Sequence, residues 1–233
     1  FPFPENLDTD LTGRTIKDIR RRAKYLLIDL DDGSTMLSHL GMSGRWTIDA
    51  SDSEGKHDHV VLHLDDGSMS VYNDARRFGV LDLFQGDSHK LLDHLGPEPL
   101  GDWTAIHLHE KLENKKTAIK IAILDQRVVV GVGNIYVCEA LNRTGISPTR
   151  RSCDVTLEEC ERLVAEIKVI LSEAIQAGGS TLRDFQAVDG TLGYFPHKFK
   201  VYDREGDSCH CGGTIQRLPQ GGRSTFWCPS CQL

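Results

Sequence analysis

Four of the seven cysteines lie within the last 25 residues of the 233-residue chain, in the segment CHCGGTIQRLPQGGRSTFWCPSC. Cys228 and Cys231 have the CxxC spacing with which two thiolates bind one tetrahedral Zn²⁺, and Cys209 and Cys211 supply a second pair. The residues between the pairs predict a β-hairpin, which has almost no core and needs a metal to stabilise it. The sequence therefore predicts one structural zinc bound by these four cysteines.

The Cys209 and Cys211 thiols are separated by one residue instead of the usual two. This spacing is compatible with three consequences, namely a distorted ligand geometry, a share of the metal taken by His210, or a reduced affinity. The other cysteines stand on or near predicted helices, where a buried reduced thiol is the ordinary state. They are Cys138, Cys153 and Cys160.

A second chemical feature is the tripeptide Gly-Val-Gly at 131–133, directly before a helix predicted to begin at Asn134. Glycines let a ligand approach the backbone closely, and a helix N-terminus directs N–H groups and positive partial charge at an anion. Lys115, Lys116 and Lys120 precede the turn and add mobile positive charge. This pattern predicts a phosphate-binding site, with a helical hairpin whose glycines serve only close packing as the alternative.

The helices that must position this site are marked by capping signals. Residues 117–124 and 134–144 predict helices, and Gly145 is the expected C-cap of the second. Thr156 and Glu159 predict a capping box at the start of a long structural helix. Its predicted buried face consists of Leu157, Cys160, Leu163, Val164, Ile167, Ile170, Leu171 and Ile175.

Before residue 90 the pattern indicates short antiparallel strands. Alternating segments flank two turns that share the string LDDGS, at 30–34 and 64–68, and each predicts a β-hairpin. RRFGVLDLF adds a further strand, and HLGPEPLGD predicts a linker to the helical part. Strands without intervening helices favour a β-sandwich or barrel over roughly the first 85–90 residues. After the long helix, the glycine-rich segment 180–203 favours a binding or lid role over a mobile surface loop.

The net charge of −7 argues mildly against a polyanion as partner. Positive charge is nevertheless bunched at 20–24, 76–77, 111–120 and 150–151. We find no apolar run of membrane-spanning length and no signal peptide, so a soluble cytoplasmic protein is expected.

Seven strings, in order and over essentially the whole chain, resemble the bacterial formamidopyrimidine-DNA glycosylase family. They are RRAKYLL, HLGMSGRW, KHDH, DARRFG, KKTAIK, DQRVVVGVGNIY and RSTFWCPSCQ. The resemblance implies an α+β multidomain protein. Its expected parts are an antiparallel β-sandwich over 1–95 that lacks its N-terminal part, a helix-two-turn-helix domain over 96–195, and a zinc-finger hairpin over 196–233.

The activity implied by the resemblance is that of a base-excision-repair glycosylase and apurinic/apyrimidinic lyase. Its substrates would be oxidised purines, 8-oxoguanine and formamidopyrimidines, in double-stranded DNA, and abasic sites would also bind. A monomer associated with the bacterial nucleoid is expected. The alternatives are an endonuclease VIII-like glycosylase for oxidised pyrimidines and a non-catalytic, zinc-stabilised module that binds damaged DNA.

The resemblance also assigns roles to individual residues. The side chains that would fill the gap left by the extruded base are Met42, Arg76 and Phe78, and Arg76 would hydrogen-bond the orphaned partner base. The matches to the family's phosphate and sugar contacts are Lys24, His57, Lys115, Asn134 and Arg223. Lys24 would also transfer a proton during β-elimination, and Arg223 would act in δ-elimination. The loop 178–194 resembles the lid over the flipped base, with Ser180 and Thr181 as base contacts.

This sequence departs from the family pattern at its start. The family begins with Pro-Glu, whose proline amine attacks the sugar C1′, whereas this chain starts FPFPENLD. We therefore expect the chain as given to bind abasic DNA but to lack excision chemistry.

Overall fold

The computed structural model describes residues 3–49, 55–180 and 193–233. The chain divides into two compact units, which we call the sandwich unit (Phe1–Asp93 with Gly178–Pro196) and the helical unit (His94–Ala177 with His197–Leu233). The three-domain division at 95 and 195 stays a prediction. No helix in the described ranges is long and apolar enough to cross a bilayer.

The sandwich unit begins with a short helix, α1 (Leu7–Leu11), followed by two antiparallel sheets. The first sheet has the order β1-β2-β3-β7 and comprises β1 (Ile16–Arg22), β2 (Tyr25–Leu30), β3 (Ser34–His39) and β7 (Val80–Gln85). The second has the order β4-β6-β5 and comprises β4 (Arg45–Asp49), β5 (Asp58–His63) and β6 (Met69–Asn73).

The two sheets pack face to face through apolar side chains. Ile28, Leu30 and Met36 are buried on the inner face of the first sheet, and Trp46 and Leu62 of the second pack against them. This arrangement confirms the predicted antiparallel β-sandwich.

Both LDDGS strings form hairpin turns, as predicted. The Asp32 carboxylate accepts hydrogen bonds from the backbone N–H and the hydroxyl of Ser34, at 3.0 and 2.6 Å. Asp66 does the same with Ser68, at 2.8 and 2.6 Å. The glycine after each aspartate has a positive φ, 81° and 86°, which a residue with a side chain rarely adopts. These turns set the register of β2 with β3 and of β5 with β6.

In the helical unit, the helices are α2 (Ala105–Leu112), α3 (Ile119–Leu124), α4 (Asn134–Thr144) and α5 (Leu157–Gln176). The terminal hairpin consists of β8 (Gln216–Gln220) and β9 (Arg223–Trp227). α4 begins and ends at the predicted residues, and its C-cap, Gly145, has φ 71° and ψ 16°.

The capping box of α5 is present as predicted. The Thr156 hydroxyl accepts the Glu159 N–H at 3.2 Å, and the Glu159 carboxylate accepts the Thr156 N–H at 2.9 Å. The predicted buried face was wrong at its ends, because Leu157 and Ile175 are 41% and 67% exposed. Both lie in terminal turns, so the periodic pattern extends beyond the part of α5 that packs on α2 and α4.

Replacing Thr156 by alanine should lower the free energy of unfolding by about 1 kcal/mol, because the Glu159 N–H in the first turn loses its side-chain acceptor. Urea denaturation followed by helical circular dichroism measures this change. Ser172→Ala, on the exposed face of the same helix, is the control and should be nearly neutral. Equal midpoints for the two variants would contradict a stabilising role for the box.

Candidate nucleic-acid interface and zinc site

The four terminal cysteines converge on one point. Their Sγ atoms all lie within 4.8 Å of one another. The Cys209–Cys231 and Cys211–Cys228 Sγ separations are 3.8 and 3.5 Å. A tetrahedral zinc with Zn–S bonds of about 2.3 Å needs sulfur atoms about 3.8 Å apart. The thiols present therefore fit one structural zinc.

The short Cys-His-Cys knuckle reaches this geometry through the two glycines that follow it. Gly212 has φ 85°, and its N–H donates to the Cys209 carbonyl at 2.9 Å. The Gly213 N–H points at Cys211 Sγ at 3.4 Å, and a Cβ on Gly213 would lie 2.9 Å from Cys228 Sγ. His210 Nδ1 lies 3.4 Å from Cys209 Sγ, so the ring contacts a ligand thiol while the four sulfurs still converge. The one-residue spacing is compatible with a four-thiolate site.

The zinc finger is hydrogen-bonded to both ends of α4. At the N-terminus, Asn134 Nδ2 donates to the Ser224 carbonyl of β9 at 2.8 Å. Near the C-terminus, the buried Gln232 accepts from Asn142 Nδ2 at 3.1 Å and from the Cys228 N–H at 2.8 Å. These bonds fix the hairpin, and with it Arg223, relative to the start of α4.

The turn before α4 has the form predicted for an anion site, although its two glycines differ. Gly131 has φ 75° and needs to be glycine, whereas Gly133, the N-cap, has an ordinary φ of −98°. The first N–H groups of a helix have no acceptor within the helix. The Asn134 Oδ1 atom is buried and has no hydrogen-bond partner within the described ranges. The start of α4 therefore presents backbone N–H groups that suit a phosphate, whereas the Asn134 oxygen is an acceptor and cannot bind one.

Lys120, in α3, is a cation that the structure places near Cys138 of α4 and near Arg223. Its side chain is fully buried, and Nζ has no hydrogen-bond partner among the described residues. Burial lowers the pKa of Lys120, Cys138 acts in the opposite direction, and the charge of Arg223 lowers it further. An ammonium group buried without a partner is costly, so the cluster favours an anionic ligand.

Arg223 lies exposed beside the tip of the β8–β9 hairpin. The tip residues Gly221 and Gly222 have φ 55° and 72°, and a Cβ on Gly221 would come within 2.8 Å of Ile121 in α3. The hairpin tip thus rests on the helix that carries Lys120. Lys115, predicted as a mobile cation, lies 3.8 Å from the Asp125 carboxylate in a half-exposed ion pair.

The predicted gap-filling residues lie in the sandwich unit and are open to solvent. Met42 and Phe78 are 62% and 55% exposed, and the Arg76 guanidinium carbon is 5.0 Å from the centre of the Phe78 ring. Arg77, which lies between Arg76 and Phe78, has φ 54°, a left-handed conformation that is rare for arginine. A cation stacked on an exposed ring is a suitable group to enter a base stack.

Gly41 brings the turn that carries Met42 onto the loop that carries Phe78. A Cβ on Gly41, which has φ 63°, would lie 2.5 Å from the Phe78 backbone. The Gly41 N–H donates to His39 Nδ1 at 3.1 Å. Burial lowers the pKa of His39, and the charge of Lys24 lowers it further, which places Lys24 near this turn. Lys24 itself is exposed, in the tight turn between β1 and β2.

His57 lies at the same edge of the unit, since its carbonyl accepts the Asp74 N–H at 3.0 Å. The predicted lid is only partly described. Ser180 forms a β-bridge with Tyr194, while Thr181 and the rest of the segment to 192 lie outside the described residues.

Sequence reasoning missed two polar side chains, one in each unit, that lie beside the predicted DNA-contacting residues of that unit. Tyr202 places its hydroxyl 3.4 Å from Asn134 Nδ2 at the start of α4. Asp74 is buried beneath the loop that carries Arg76 and Phe78. The string DARRFG contains Asp74 and is the signal that could have identified it, whereas no local pattern marks Tyr202.

Comparison with known proteins identifies the family. The sequence matches the formamidopyrimidine-DNA glycosylase N-terminal domain over 1–81, the H2TH domain over 95–186, and the zinc finger found in FPG and IleRS over 210–233. A formamidopyrimidine-DNA glycosylase of Ruegeria pomeroyi is 49% identical over 249 aligned positions, covering 100% of this chain and 88% of the relative. The chain belongs to the formamidopyrimidine-DNA glycosylase family.

Solved structures of the formamidopyrimidine-DNA glycosylase family agree with the fold. The Lactococcus lactis Fpg in complex with abasic-site DNA has a TM-score of 0.90 at 35% identity, covering 98% of this chain and 86% of that one. A mutant of the same protein bound to DNA containing Fapy-dG has a TM-score of 0.91 at 35% identity, with the same coverage. The predicted family, α+β fold class and zinc finger are thereby confirmed.

Metal analysis of the purified protein should give about one zinc per chain, because four thiolates at tetrahedral spacing satisfy the metal completely. Cys211→Ser should lose most of this zinc, whereas Cys153→Ser, remote from the four-thiol cluster, should retain it. Full zinc occupancy in Cys211→Ser would instead point to His210 as a replacement ligand.

Lys120→Met should raise the free energy of unfolding by about 1–3 kcal/mol, because it removes a buried, unpaired polar group. The folded-state pKa lies below that of the unfolded chain, so the penalty is full at low pH and is relieved as pH rises between the two values. The advantage of the variant should therefore shrink toward alkaline pH.

The same substitution should abolish the rise in melting temperature that inorganic phosphate produces. Lys111→Met, which changes an exposed lysine of α2, should keep that rise. If phosphate stabilises both variants equally, Lys120 does not contribute to an anion site.

Proposed function

We propose that this member of the formamidopyrimidine-DNA glycosylase family removes oxidised purines from double-stranded DNA and then acts as a lyase at the abasic site, with the family's N-terminal proline amine as the nucleophile of both steps. The sequence as given, which starts FPFPENLD, does not supply that amine, and its residues bind and position the lesion. The observation that carries the proposal is the exposed trio Met42, Arg76 and Phe78, held on two adjoining turns of the sandwich unit. Relatives have been solved with DNA that contains Fapy-dG or an abasic site. The substrate assignment follows from these relatives.

Extruding a base from the stack leaves a gap and costs a few kcal/mol. Met42 and Phe78 can regain apolar contact by filling that gap, and Arg76 can donate hydrogen bonds to the orphaned partner base. An exposed thioether and ring lose little on leaving water, so the free protein is ready for insertion. In this proposal the trio stabilises the flipped state after the lesion has left the stack.

The helical unit supplies most of the phosphate contacts in this proposal. Asn134 at the start of α4 and Arg223 at the hairpin tip bind backbone phosphates, and the buried Lys120 adds charge behind them. The Tyr202 hydroxyl, next to Asn134, can donate to the same phosphate. The zinc holds the hairpin that carries Arg223 and takes no part in the chemistry.

The remaining assignments complete the proposal. His57 and Lys115 contact phosphates, Lys24 transfers a proton during β-elimination, and Arg223 assists δ-elimination by stabilising the departing phosphate. The proposed domain boundaries are 95 and 195. The proposed setting is the bacterial cytoplasm, where a monomer acts at the nucleoid.

The protein should bind a duplex with a tetrahydrofuran abasic analogue opposite cytosine at least about a hundredfold more tightly than the intact duplex. Arg223→Ala should weaken both complexes and flatten the dependence of log K on log salt by about one unit, the value for one lost phosphate contact. Fluorescence anisotropy over a salt series measures both quantities.

Arg162→Ala removes an exposed arginine that pairs with Glu158 on α5, and it serves as the matched control with an unchanged slope. Equal affinity for abasic and intact duplexes would overturn the proposed function. A stronger preference for duplexes with oxidised pyrimidines than for those with 8-oxoguanine would move the protein to the endonuclease VIII-like class.

A further inference from the structure

The Asp74 carboxylate lies beneath the exposed trio and is 1% exposed. Its Oδ1 atom accepts the Ser43 hydroxyl at 2.6 Å and the Arg76 backbone N–H at 3.2 Å. Its Oδ2 atom accepts the Gly79 N–H at 2.8 Å. One side chain therefore joins the turn that carries Met42 to both ends of the loop that carries Arg76 and Phe78.

The backbone of Asp74 extends the same network. Its N–H donates to the His57 carbonyl at 3.0 Å, and its carbonyl accepts His59 Nε2 at 2.8 Å. The Arg77 N–H closes a turn onto the same carbonyl at 3.4 Å. Asp74 thus also joins the loop to the start of β5.

Steric contacts reinforce these bonds. Tyr72 is fully buried, and a Cβ on Gly44 would lie 2.5 Å from its hydroxyl; a Cβ on Gly79 would overlap the same atom. Burial raises the pKa of Tyr72, and the Asp74 charge raises it further, so the phenol stays neutral beside the carboxylate. The turn and the loop are packed too closely to move independently.

We propose that Asp74 is a positioning residue that makes the 40–44 turn and the 74–79 loop a single unit, so that Met42, Arg76 and Phe78 enter the base stack together. This inference rests on the proposed function. Asp74 touches no DNA in the proposal and acts through the Arg76 and Gly79 N–H groups that it binds.

Both carboxylate oxygens are needed, and this makes Asp74→Asn informative. Each oxygen accepts a backbone N–H, from Arg76 or from Gly79, and a backbone N–H cannot reverse its role. In either orientation of the new amide, the variant would set an NH₂ group against one of these donors. The substitution keeps the shape and the volume of the side chain but loosens one end of the loop.

The experiment compares binding to tetrahydrofuran duplexes that carry cytosine or adenine opposite the lesion. Because Arg76 reads the orphaned base, wild type should discriminate between the two, and Arg76→Ala should lose about tenfold of that discrimination. Asp74→Asn should lose a similar factor while its affinity for intact duplex stays at the wild-type value. The double variant should lose no more than either single one, because the two residues act in one unit.

Asp66→Asn is the matched control. Asp66 precedes β6, whereas Asp74 follows it, and the Asp66 carboxylate likewise accepts a serine hydroxyl and a backbone N–H. The Asp66→Asn variant therefore measures the effect of losing a turn carboxylate that is remote from the trio. It should keep full discrimination. A merely structural role of Asp74 would lower the melting temperature in both variants and leave discrimination intact in both.

Wild-type discrimination in Asp74→Asn, with discrimination lost in Arg76→Ala, would overturn the inference and leave the proposed function standing. If the wild-type protein does not bind the abasic duplex more tightly than the intact duplex, the proposed function itself is wrong. Should Asp74→Asn not fold, Ser43→Ala decides, because it keeps both backbone bonds of Asp74 and removes the two links of the Ser43 hydroxyl to the loop, the bond that it donates to Asp74 and the bond that it accepts from the Arg76 N–H at 3.2 Å. That variant should lose discrimination in part, and full retention would overturn the inference.

Discussion

Glu139 in the middle of α4 carries the interaction on which the helical unit depends. Its carboxylate is 1% exposed and accepts three successive backbone N–H groups, from Lys200 at 2.8 Å, Val201 at 3.0 Å and Tyr202 at 2.8 Å. A buried carboxylate is tolerated only where donors replace its water shell, and three N–H groups do so here. The chain that leads into the zinc finger is thereby fixed on the helix whose first residue contacts the finger.

This anchoring explains how a small zinc finger can hold the Arg223 side chain in a fixed position. A two-stranded hairpin has no core of its own, so the zinc holds its cysteine end and α4 holds its remaining surface. Asn134 and Gln232 make the polar contacts at the two ends of that surface. Arg223 therefore extends from a support whose position is set by side chains on another element, and loss of either support would let it move.

The sequence predicted element boundaries correctly where the contacts that set them join residues close together in the chain. Gly145, the Thr156 box and the two LDDGS turns set element boundaries through contacts of a few residues, and all were predicted. β1 carries no strand signal of its own, because its residues are nearly all exposed and show no alternation of apolar and polar positions. Glu139 was missed because its three partners lie 61 to 63 residues away.

The interface residues show a sharper limit of sequence reasoning. By residue type alone, Met42 and Phe78 belong in a core, and only the family resemblance placed them at a DNA-binding surface. The structure supplies a physical reason for their exposure, since Gly41 lies against the Phe78 backbone and Gly79 against the Tyr72 hydroxyl, with no room for a Cβ at either position. The two glycines and the buried Asp74 therefore hold Met42 and Phe78 at the surface instead of in the core. Their apolar surface stays in water until a ligand with a gap of matching shape covers it.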